Sequence, residues 1–355
     1  MKGVFRLALK NLSRYRRRTF ITASAVGVGL ALYIITDGLL MGLDQESERN
    51  LILYETSSAR VLSKDYWDER EQLPLDEAVE EPRRVVEALG ELGVPATPRI
   101  VFDGELVVHE NPYPSSGSFR TKLYGIDPET DNEVFRLRET VSEGRYLEEG
   151  ENGALVGAWL AEDLGAEVGY PLTVLTRTRK GYYQTIDLEI VGIVDVPNPV
   201  INRKAVYIPY DTASVYLQMD GRATEIDMSF SQTADYRIRL DEARNAVAGG
   251  NDLVVKGWRE IAANYVALSE MKAQGSGVIL LLVFVIAAVG VSNTMVMAVF
   301  ERVRELGMMR ALGMEERDVR RLFLYEAAGI GLIGAVVGAA VGVLGVYLLS
   351  EYGID

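Results

Sequence analysis

The sequence predicts a membrane α-helical protein in which a large α+β extracytoplasmic domain is inserted between the first and second of three spans. Three apolar segments, residues 19–43, 277–299 and 324–349, each have the length of about 20 residues that crosses a bilayer. A polar, charged stretch of more than 200 residues separates the first two segments. Basic residues are concentrated before the first span and between the second and third spans, which is typical of loops on one side of a membrane.

Residues 1–18 are predicted to form a helix that lies in the headgroup layer on the cytoplasmic side. This segment carries seven Lys and Arg residues and no acid. Phe5, Leu9 and Leu12 share one helical face, and basic residues occupy much of the remainder. A solvated helical extension of the first span is the alternative, and the pattern leaves it open.

The first apolar segment, residues 19–43, is interpreted as a retained span. Its apolar part is longer than the hydrophobic region of a signal peptide, and no small-x-small cleavage site follows in its polar flank. Its single acid, Asp37, lies near the far end, where it can reach headgroups or water.

The distribution of basic residues predicts the orientation. The loop at residues 300–323 carries six arginines, namely Arg302, Arg304, Arg310, Arg317, Arg320 and Arg321. The positive-inside rule places this loop and residues 1–18 in the cytoplasm. Residues 44–276 and the outer tail, residues 350–355, then lie outside, and we expect the inner membrane if the cell has two.

The third span carries Gly334, Gly338 and Gly342, at intervals of four residues. Small residues at this spacing allow two helices in lipid to approach closely. The sequence therefore predicts a packing face on this span, either against another part of the same chain or at a subunit interface.

The outer domain is predicted to be α+β with two subdomains, residues 44–125 with 226–257, and residues 126–225. Alternating apolar patterns predict strands at residues 57–63, 100–109, 121–126, 172–176, 184–195, 205–208, 226–231 and 253–256. Amphipathic patterns predict helices at residues 82–92, 158–164 and 235–248, and a further helix at 258–274 that leads into the second span. Residues 66–81 are predicted to be an acidic connection.

Several classes of chemistry are excluded or disfavoured. Residues 44–275 carry 42 acidic against 24 basic residues within a formal charge of −14, which disfavours nucleic-acid binding. The chain has no Cys, and its single His, His109, is interpreted as a surface or packing residue. Neither a G-x-x-x-x-G-K-[ST] nor an H-E-x-x-H motif is present, so we expect no cofactor, no metal site and no catalysis.

The loop between the second and third spans is predicted to remain helical beyond the membrane. Arg302 and Glu305 are three residues apart and are expected to pair on the surface. Gly313 is expected to end this helix, and residues 315–321 to form a short charged helix before the third span. Charge alone does not distinguish a docking element for a soluble partner from an ordinary basic loop.

The segment NTMVMAVFERVRELGMMRALG resembles the signature of the MacB/FtsX-like ABC transporter permease superfamily. The matching residues are Asn293, Met295, Glu301, Arg302, Glu305, Leu306, Gly307, Arg310, Ala311, Leu312 and Gly313. The N-terminus is similar as well, through Leu7, Ala8, Asn11, Leu12, Arg14, Arg17, Arg18 and Thr19. Residues 124–129, 143–165 and 190–195 resemble the lipoprotein-releasing LolC/LolE branch.

The resemblance implies a homodimer or heterodimer of permease subunits that works with two copies of a separate cytoplasmic ATPase, which binds the ATP. It also implies a possible periplasmic carrier or adaptor, and a fourth span. We expect that fourth span in a longer chain, the alternative being that this member lacks it. The residues it assigns to coupling with the ATPase are Glu301, Arg302, Glu305, Gly307, Arg310 and Gly313, to which we add Met314 as an adaptable apolar contact and Arg317 as a hydrogen-bond donor.

Two functions remain open. The first is a permease subunit that moves lipoprotein or another amphiphile from the outer leaflet of the inner membrane. The second is mechanotransmission, in which the outer domain drives an efflux adaptor or a cell-wall hydrolase without binding cargo. An apolar cavity between the first and second spans favours the first function, and a polar outer tip that docks a soluble partner favours the second. A membrane enzyme, the third class, lacks a catalytic constellation.

Overall fold

The computed structural model describes residues 2–107, 118–230, 235–247 and 252–352. Its helices are α1 Lys2–Arg14, α2 Arg16–Leu51, α3 Lys64–Asp68, α4 Pro82–Glu91, α5 Asp131–Val134, α6 Ala158–Leu164, α7 Pro199–Lys204, α8 Tyr210–Leu217, α9 Tyr236–Val247, α10 Trp258–Ile261, α11 Ala263–Glu301, α12 Val303–Ala311 and α13 Glu316–Tyr352. Its strands are β1 Ala59–Ser63, β2 Ala96–Val107, β3 Ser118–Ile126, β4 Val141–Gly144, β5 Gly153–Gly157, β6 Pro171–Arg177, β7 Tyr183–Val194, β8 Ala205–Pro209, β9 Glu225–Met228 and β10 Leu253–Gly257. His109 lies outside the described residues.

The chain folds into two compact units. The membrane unit comprises the residues up to Glu46 together with those from Tyr265 onward, and the outer unit comprises Ser47–Asn264. The predicted bounds of the outer domain, residues 44 and 276, remain a prediction. Helix α2 continues beyond residue 44 to Leu51, and α11 begins before residue 276, at Ala263. A helix rises about 1.5 Å per residue, so the 36 residues of α2 extend roughly 54 Å, beyond the 30 Å of a bilayer core.

In the described part of the chain, three helices are long and apolar enough to cross a membrane: α2 with its short π-helical continuation, α11 and α13. Two details of the sequence prediction are wrong. Residues 315–321 do not form a separate helix, because α13 runs without a break from Glu316 through the third span. The helix predicted at residues 258–274 is interrupted at Ala262, whose φ of −97° and ψ of 38° are not helical.

Helices α2 and α13 pack backbone against backbone through glycines. A Cβ placed on Gly338 would lie 2.5 Å from the carbonyl oxygen of Gly27, and one on Gly334 would lie 2.7 Å from that of Ala23. Gly342 faces Ile34 in the same seam, at 2.8 Å. The glycine face of the third span therefore packs within the chain, as one of the two sequence interpretations had it.

The outer unit is built around a closed ring of six strands. Strand β2 pairs with β3, and the ring continues through β8, β5, β7 and β6. Strand β6 then pairs with the end of β2, where Leu106 lies opposite Val174. Strands β9, β1 and β10 extend the sheet from the first half of β2, and β4 borders β7. Closing the ring removes sheet edges that would otherwise be exposed.

Strand β2 contributes to two hydrophobic cores of the outer unit, one near its start and the other along the rest of its length. One core, which includes Val61, Leu89 and Ile226, lies where β2 pairs with β9. A second core fills the ring and includes Phe102, Leu123 and Val206. The subdomain division predicted at residues 125 and 226 remains a prediction. The two cores meet within β2, between Ala96 and Ile100.

Most strands and helices of the outer unit were predicted from local patterns. Helix α4 begins at Pro82, and α6 ends at Gly165, whose φ of +59° favours glycine. Strand β5 was not predicted because all five of its residues are buried and show no alternation. Strand β4, helices α5, α7 and α8, and helix α3 within the predicted acidic connection were also missed.

A buried polar cluster crosses the three neighbouring strands β1, β9 and β2. Arg60 contacts Asp227 and Glu225, each at 2.8 Å, and Arg99 binds Asp131 with two hydrogen bonds of 2.7 and 3.0 Å. Two guanidinium groups thus face three carboxylates. Burial raises the pKa of Glu225 to about 7, which lets this cluster hold one proton in place of an uncompensated negative charge.

We expect the substitution Gly338→Ala to destabilise the membrane unit by about 1–3 kcal/mol, because the new methyl group overlaps the Gly27 backbone. Gly331→Ala on the same helix is the matched control, since no atom lies within 4 Å of the position that its new Cβ would occupy. Thermal unfolding of both purified variants in detergent measures the difference. Equal melting temperatures would show that the α2–α13 contact is not close.

Candidate functional site

Glu326 of α13 is the centre of the candidate site. Its side chain is 1% exposed, although it lies within a largely apolar helix. It accepts hydrogen bonds from Nδ2 of Asn11 and, at 3.1 Å, from Nη1 of Arg302, and Nη2 of Arg18 lies 3.6 Å away. A buried carboxylate is stable only when such partners offset its loss of water.

Arg302 lies at the joint between α11 and α12. Its φ of −112° and ψ of 16° are not helical, so the chain changes direction there. Its guanidinium group lies 3.7 Å from the ring centroid of Tyr15, and that of Arg18 lies 5.4 Å from the same ring. The side chain is 5% exposed, whereas the sequence analysis expected it on the surface. We name the set Asn11, Tyr15, Arg18, Arg302 and Glu326 the Glu326 joint.

Apolar contacts surround the Glu326 joint. A Cβ on Gly329 would lie 2.5 Å from Cδ1 of Leu12, so α1 lies close against α13. Phe5 and Tyr325 make an edge-to-face ring contact with centroids 5.7 Å apart. A small core of Ala23, Met295 and Ile330 lies beside them, linking α2, α11 and α13. The joint thereby ties α1 and the three long helices to the start of α12.

The structure separates the coupling residues that the sequence analysis grouped together. Arg302 is buried, but Glu301, Gly307, Arg310 and Arg317 are exposed. Glu305 pairs with Arg14, at 3.6 Å, and not with Arg302 as expected, because Arg302 turns inward to Glu326.

The end of α12 is a sharp turn. Gly313 has a φ of +98°, which strongly favours glycine. Met314 is half-buried, and its N–H donates to the carbonyl oxygen of Met309 at 3.1 Å. The more accessible apolar side chains of this segment were missed by the sequence analysis: Val303, Met308 and Leu312 are 56%, 62% and 84% exposed. An apolar surface next to Arg310 and Arg317 is suited to docking a soluble partner.

An apolar cavity of about 390 Å³ lies between α2 and α11. Its lining residues are Ile21, Thr22, Ala25, Val26, Gly29, Val283, Ile286, Ala287, Gly290, Val291 and Thr294. Thr22 donates to Thr294 at 3.2 Å. The cavity lies beside the halves of both spans that are nearer to the Glu326 joint.

The other halves of α2 and α11 are joined by polar side chains. Ser276 bonds to the carboxylate of Asp37 and, at 3.3 Å, to the hydroxyl of Tyr33. Farther along, the carboxylate of Asp44 accepts from Ser269, and Tyr265 donates to the Asp44 carbonyl at 2.9 Å. We name this row of contacts the outer seam.

Family models match most of the chain. The FtsX-like permease C-terminal domain matches residues 277–355, which include Arg302 and Glu326. The MacB-like periplasmic core domain matches residues 19–248. The chain belongs to the MacB/FtsX-like ABC transporter permease superfamily. It is therefore a membrane-spanning permease with a large periplasmic domain of α+β content, and its relatives are permease components of ABC transporters.

Individual relatives are distant. The permease is 26% identical over 247 residues to the lipoprotein-releasing system transmembrane protein LolC of Neisseria meningitidis, an alignment that covers 65% of this chain and 57% of LolC. It is 23% identical to LolC of Xylella fastidiosa, over 95% of this chain and 80% of that protein. The extracellular domain of the ABC-type transporter YknZ from Gram-positive bacteria has 14% identity and a TM-score of 0.40, covering 56% of this chain and 98% of that domain.

Glu326 was not among the site residues predicted from the sequence. The available signal was a single acid within the third apolar segment, since ionisable residues inside membrane helices are usually paired and functional. In the described ranges, no three His, Asp or Glu side chains are grouped as metal ligands. The site is a buried polar contact between α1, α2, α13 and the start of α12.

We expect Glu326→Gln to destabilise the permease by about 3–5 kcal/mol, because the change leaves two guanidinium groups facing an uncharged partner. Glu316→Gln is the control on the same helix. Its carboxylate pairs with Arg320 at 3.7 Å on the surface, and such pairs contribute at most about 1 kcal/mol. Chemical unfolding in detergent compares the two, and an equal loss of stability would contradict the central role of Glu326.

Proposed function

We propose that this chain is the permease subunit of an ABC transporter complex that moves lipoprotein or another amphiphile from the outer leaflet of the inner membrane. A separate cytoplasmic ATPase subunit hydrolyses the ATP, and the permease forms a homodimer or heterodimer. The chain itself is non-catalytic. The observation that carries this proposal is the Glu326 joint, which connects a helix with an exposed face to all three spans.

The joint can transmit a displacement of α12. Arg302 immediately precedes α12 and is held by Glu326 of α13 and by the ring of Tyr15. A buried, hydrogen-bonded ion pair resists separation, because breaking it leaves charges in an apolar environment. A movement imposed on α12 would therefore also move α13 and the start of α2, which is what coupling through a contiguous element requires.

The exposed part of α12 and the turn after it would contact the ATPase. Leu312 and Met308 supply apolar surface, and Arg310 and Arg317 supply donors for charge-assisted hydrogen bonds. Met314 is half-buried and would support the turn at Gly313 more than it would contact the partner.

The cavity between α2 and α11 supports the handling of an amphiphile, since its lining is apolar and lies between the first and second spans. A cargo from the outer leaflet would enter through the outer seam, whose contacts at Asp37 and Asp44 must first separate. These contacts connect partly exposed side chains and are weaker than the buried Glu326 joint.

The second candidate function is mechanotransmission, in which the outer domain drives an efflux adaptor or a cell-wall hydrolase without binding cargo. The outer seam favours it, because the contacts of Asp37 and Asp44 close the α2–α11 boundary on the outer side of the cavity. In that function the seam stays closed throughout the ATPase cycle.

Coupling is tested with the ATPase that co-purifies with the chain. We expect Leu312→Glu, and to a smaller extent Arg317→Glu and Met314→Glu, to weaken its capture and to reduce the hydrolysis that the permease stimulates. The purified chain alone should hydrolyse no ATP above background. Glu149→Gln, an exposed change in the outer unit, is the control. If all three variants bind and hydrolyse like the parent, this loop is an ordinary connector.

Cargo transfer is tested by closing the outer seam. Because the chain has no Cys, the pair Asp37→Cys and Ser276→Cys places the only thiols across the seam. We expect the oxidised pair to stop release of a lipoprotein from proteoliposomes while ATP hydrolysis continues, and reduction to restore release. Each single variant is the control. Release that continues with a closed seam would reject entry of cargo by this route, whereas a parent chain that hydrolyses ATP with its ATPase but releases no lipoprotein would favour mechanotransmission.

A further inference from the structure

A second cavity adjoins the apolar one between α2 and α11. It has a volume of about 640 Å³ and is lined by Ser13, Arg14, Tyr15, Arg16, Arg17, Arg18, Ile21, Thr22 and Thr294. Ile21, Thr22 and Thr294 line both cavities. The two cavities are therefore adjacent, with arginines lining one and apolar side chains lining the other, and the hydrogen bond between Thr22 and Thr294 lies at their shared boundary.

The basic end carries more positive charge than the neighbouring acids offset. Arg18 and Arg302 share the single carboxylate of Glu326, and Arg14 pairs with Glu305. Arg17 makes no ion pair with any residue of the described ranges. Within the same ranges, Nε and Nη1 of Arg18 and Nε and Nη2 of Arg302 are buried without hydrogen-bond partners. Guanidinium groups left in this state favour an anion, and phosphate matches their paired donors.

The apolar end has the shape of a slot for a chain of methylene groups. Ala25 and Gly29 on α2 face Ala287 and Gly290 on α11, and these small side chains leave the space between the helices open. The volume of about 390 Å³ is within the usual range of small-ligand sites, roughly 300–1,000 Å³. A ligand that fills both ends must be an amphiphile with an anionic headgroup.

We propose that this space binds an anionic phospholipid from the leaflet next to α1. Its phosphate lies beside Arg17 and Arg18, and one acyl chain lies between Gly29 and Gly290. A zwitterionic lipid fits the apolar end equally well but carries a cation that the arginines repel. The anionic leaflet surface also attracts basic segments of this kind. The bound lipid would pack against the Glu326 joint, at the opposite end of the spans from the outer seam.

This site shares the apolar cavity between α2 and α11 with the proposed cargo, but the lipid enters that cavity from the opposite end. Cargo would come from the outer leaflet and pass Asp37, whereas this lipid enters beside the first residues of α2. Lipid binding here depends on the two adjacent cavities and the unbalanced arginines, and it needs neither the ATPase nor the transport activity.

The experiment is native mass spectrometry of the full-length, delipidated chain titrated with phosphatidylglycerol or phosphatidylcholine. We expect one phosphatidylglycerol per chain to bind well before any phosphatidylcholine. Near-surface arginines contribute about 1 kcal/mol each to anionic lipid binding, so Arg17→Gln should weaken phosphatidylglycerol binding about fivefold and Arg17→Gln with Arg18→Gln about thirtyfold. Arg6→Gln removes the same charge from an exposed position on α1 that lines neither cavity, and it should have no effect.

The acyl end is tested by filling the slot. No atom lies within 4 Å of a Cβ built on Gly290, so we expect the Gly290→Leu variant to fold. Its new side chain should occupy the slot and exclude the lipid's acyl chain. Excluding two methylene groups predicts a loss of about tenfold for both lipids. Gly277→Leu, also on α11 and also free of contacts, is the matched control. Equal affinity for the two lipids, or unchanged binding by Gly290→Leu, would overturn the proposal. So would complete displacement by millimolar inorganic phosphate, which would identify a site for free phosphate.

Discussion

The membrane unit depends on one buried carboxylate. Glu326 has almost no contact with water, and it is retained in an apolar helix because Asn11, Arg302 and Arg18 surround it. Each partner comes from a different part of the chain, so satisfying this one charge fixes α1, the start of α2 and the α11–α12 joint against α13. The glycine contacts between α2 and α13 require the same alignment, because Gly338 reaches the Gly27 carbonyl only in one register. Electrostatics and close packing thus specify the same arrangement of helices.

The two ends of the spans differ in how firmly they are held. Near α12, the helices are joined by a buried ion pair, a ring contact and glycine packing. Separating the helices there would leave charged groups in an apolar environment. At the outer seam, Asp37 and Asp44 bond to serine and tyrosine hydroxyl groups on partly exposed side chains, which exchange readily with water. A force applied at α12 would therefore be transmitted by the first end and released at the second. Under the proposed function, the ATPase would act on the first end and cargo would enter at the second.

The outer unit is stabilised in a different way, by the pairing of its strands. A closed ring of strands has few free edges. Strand β2 belongs to this ring, and its first half also packs into the neighbouring core. Where the strands β1, β9 and β2 meet, Arg60 and Arg99 are held by three buried carboxylates. These charges specify the register of the three strands, because shifting one strand by one residue would leave the charged side chains without partners.

The sequence by itself determined the features that depend on neighbouring residues. The apolar runs predicted three spans, alternation predicted most strands, and Pro82 and Gly165 marked helix ends, because these signals act over one or two turns of chain. The tertiary structure alone decided the pairing of Arg302 with Glu326, 24 residues apart, and of Asn11 with Glu326, 315 residues apart. It also decided that β6 closes the ring on β2, and that the fully buried β5 is a strand. In each of these cases the decisive partner is distant in sequence, so no local pattern could identify which charge or strand it would meet.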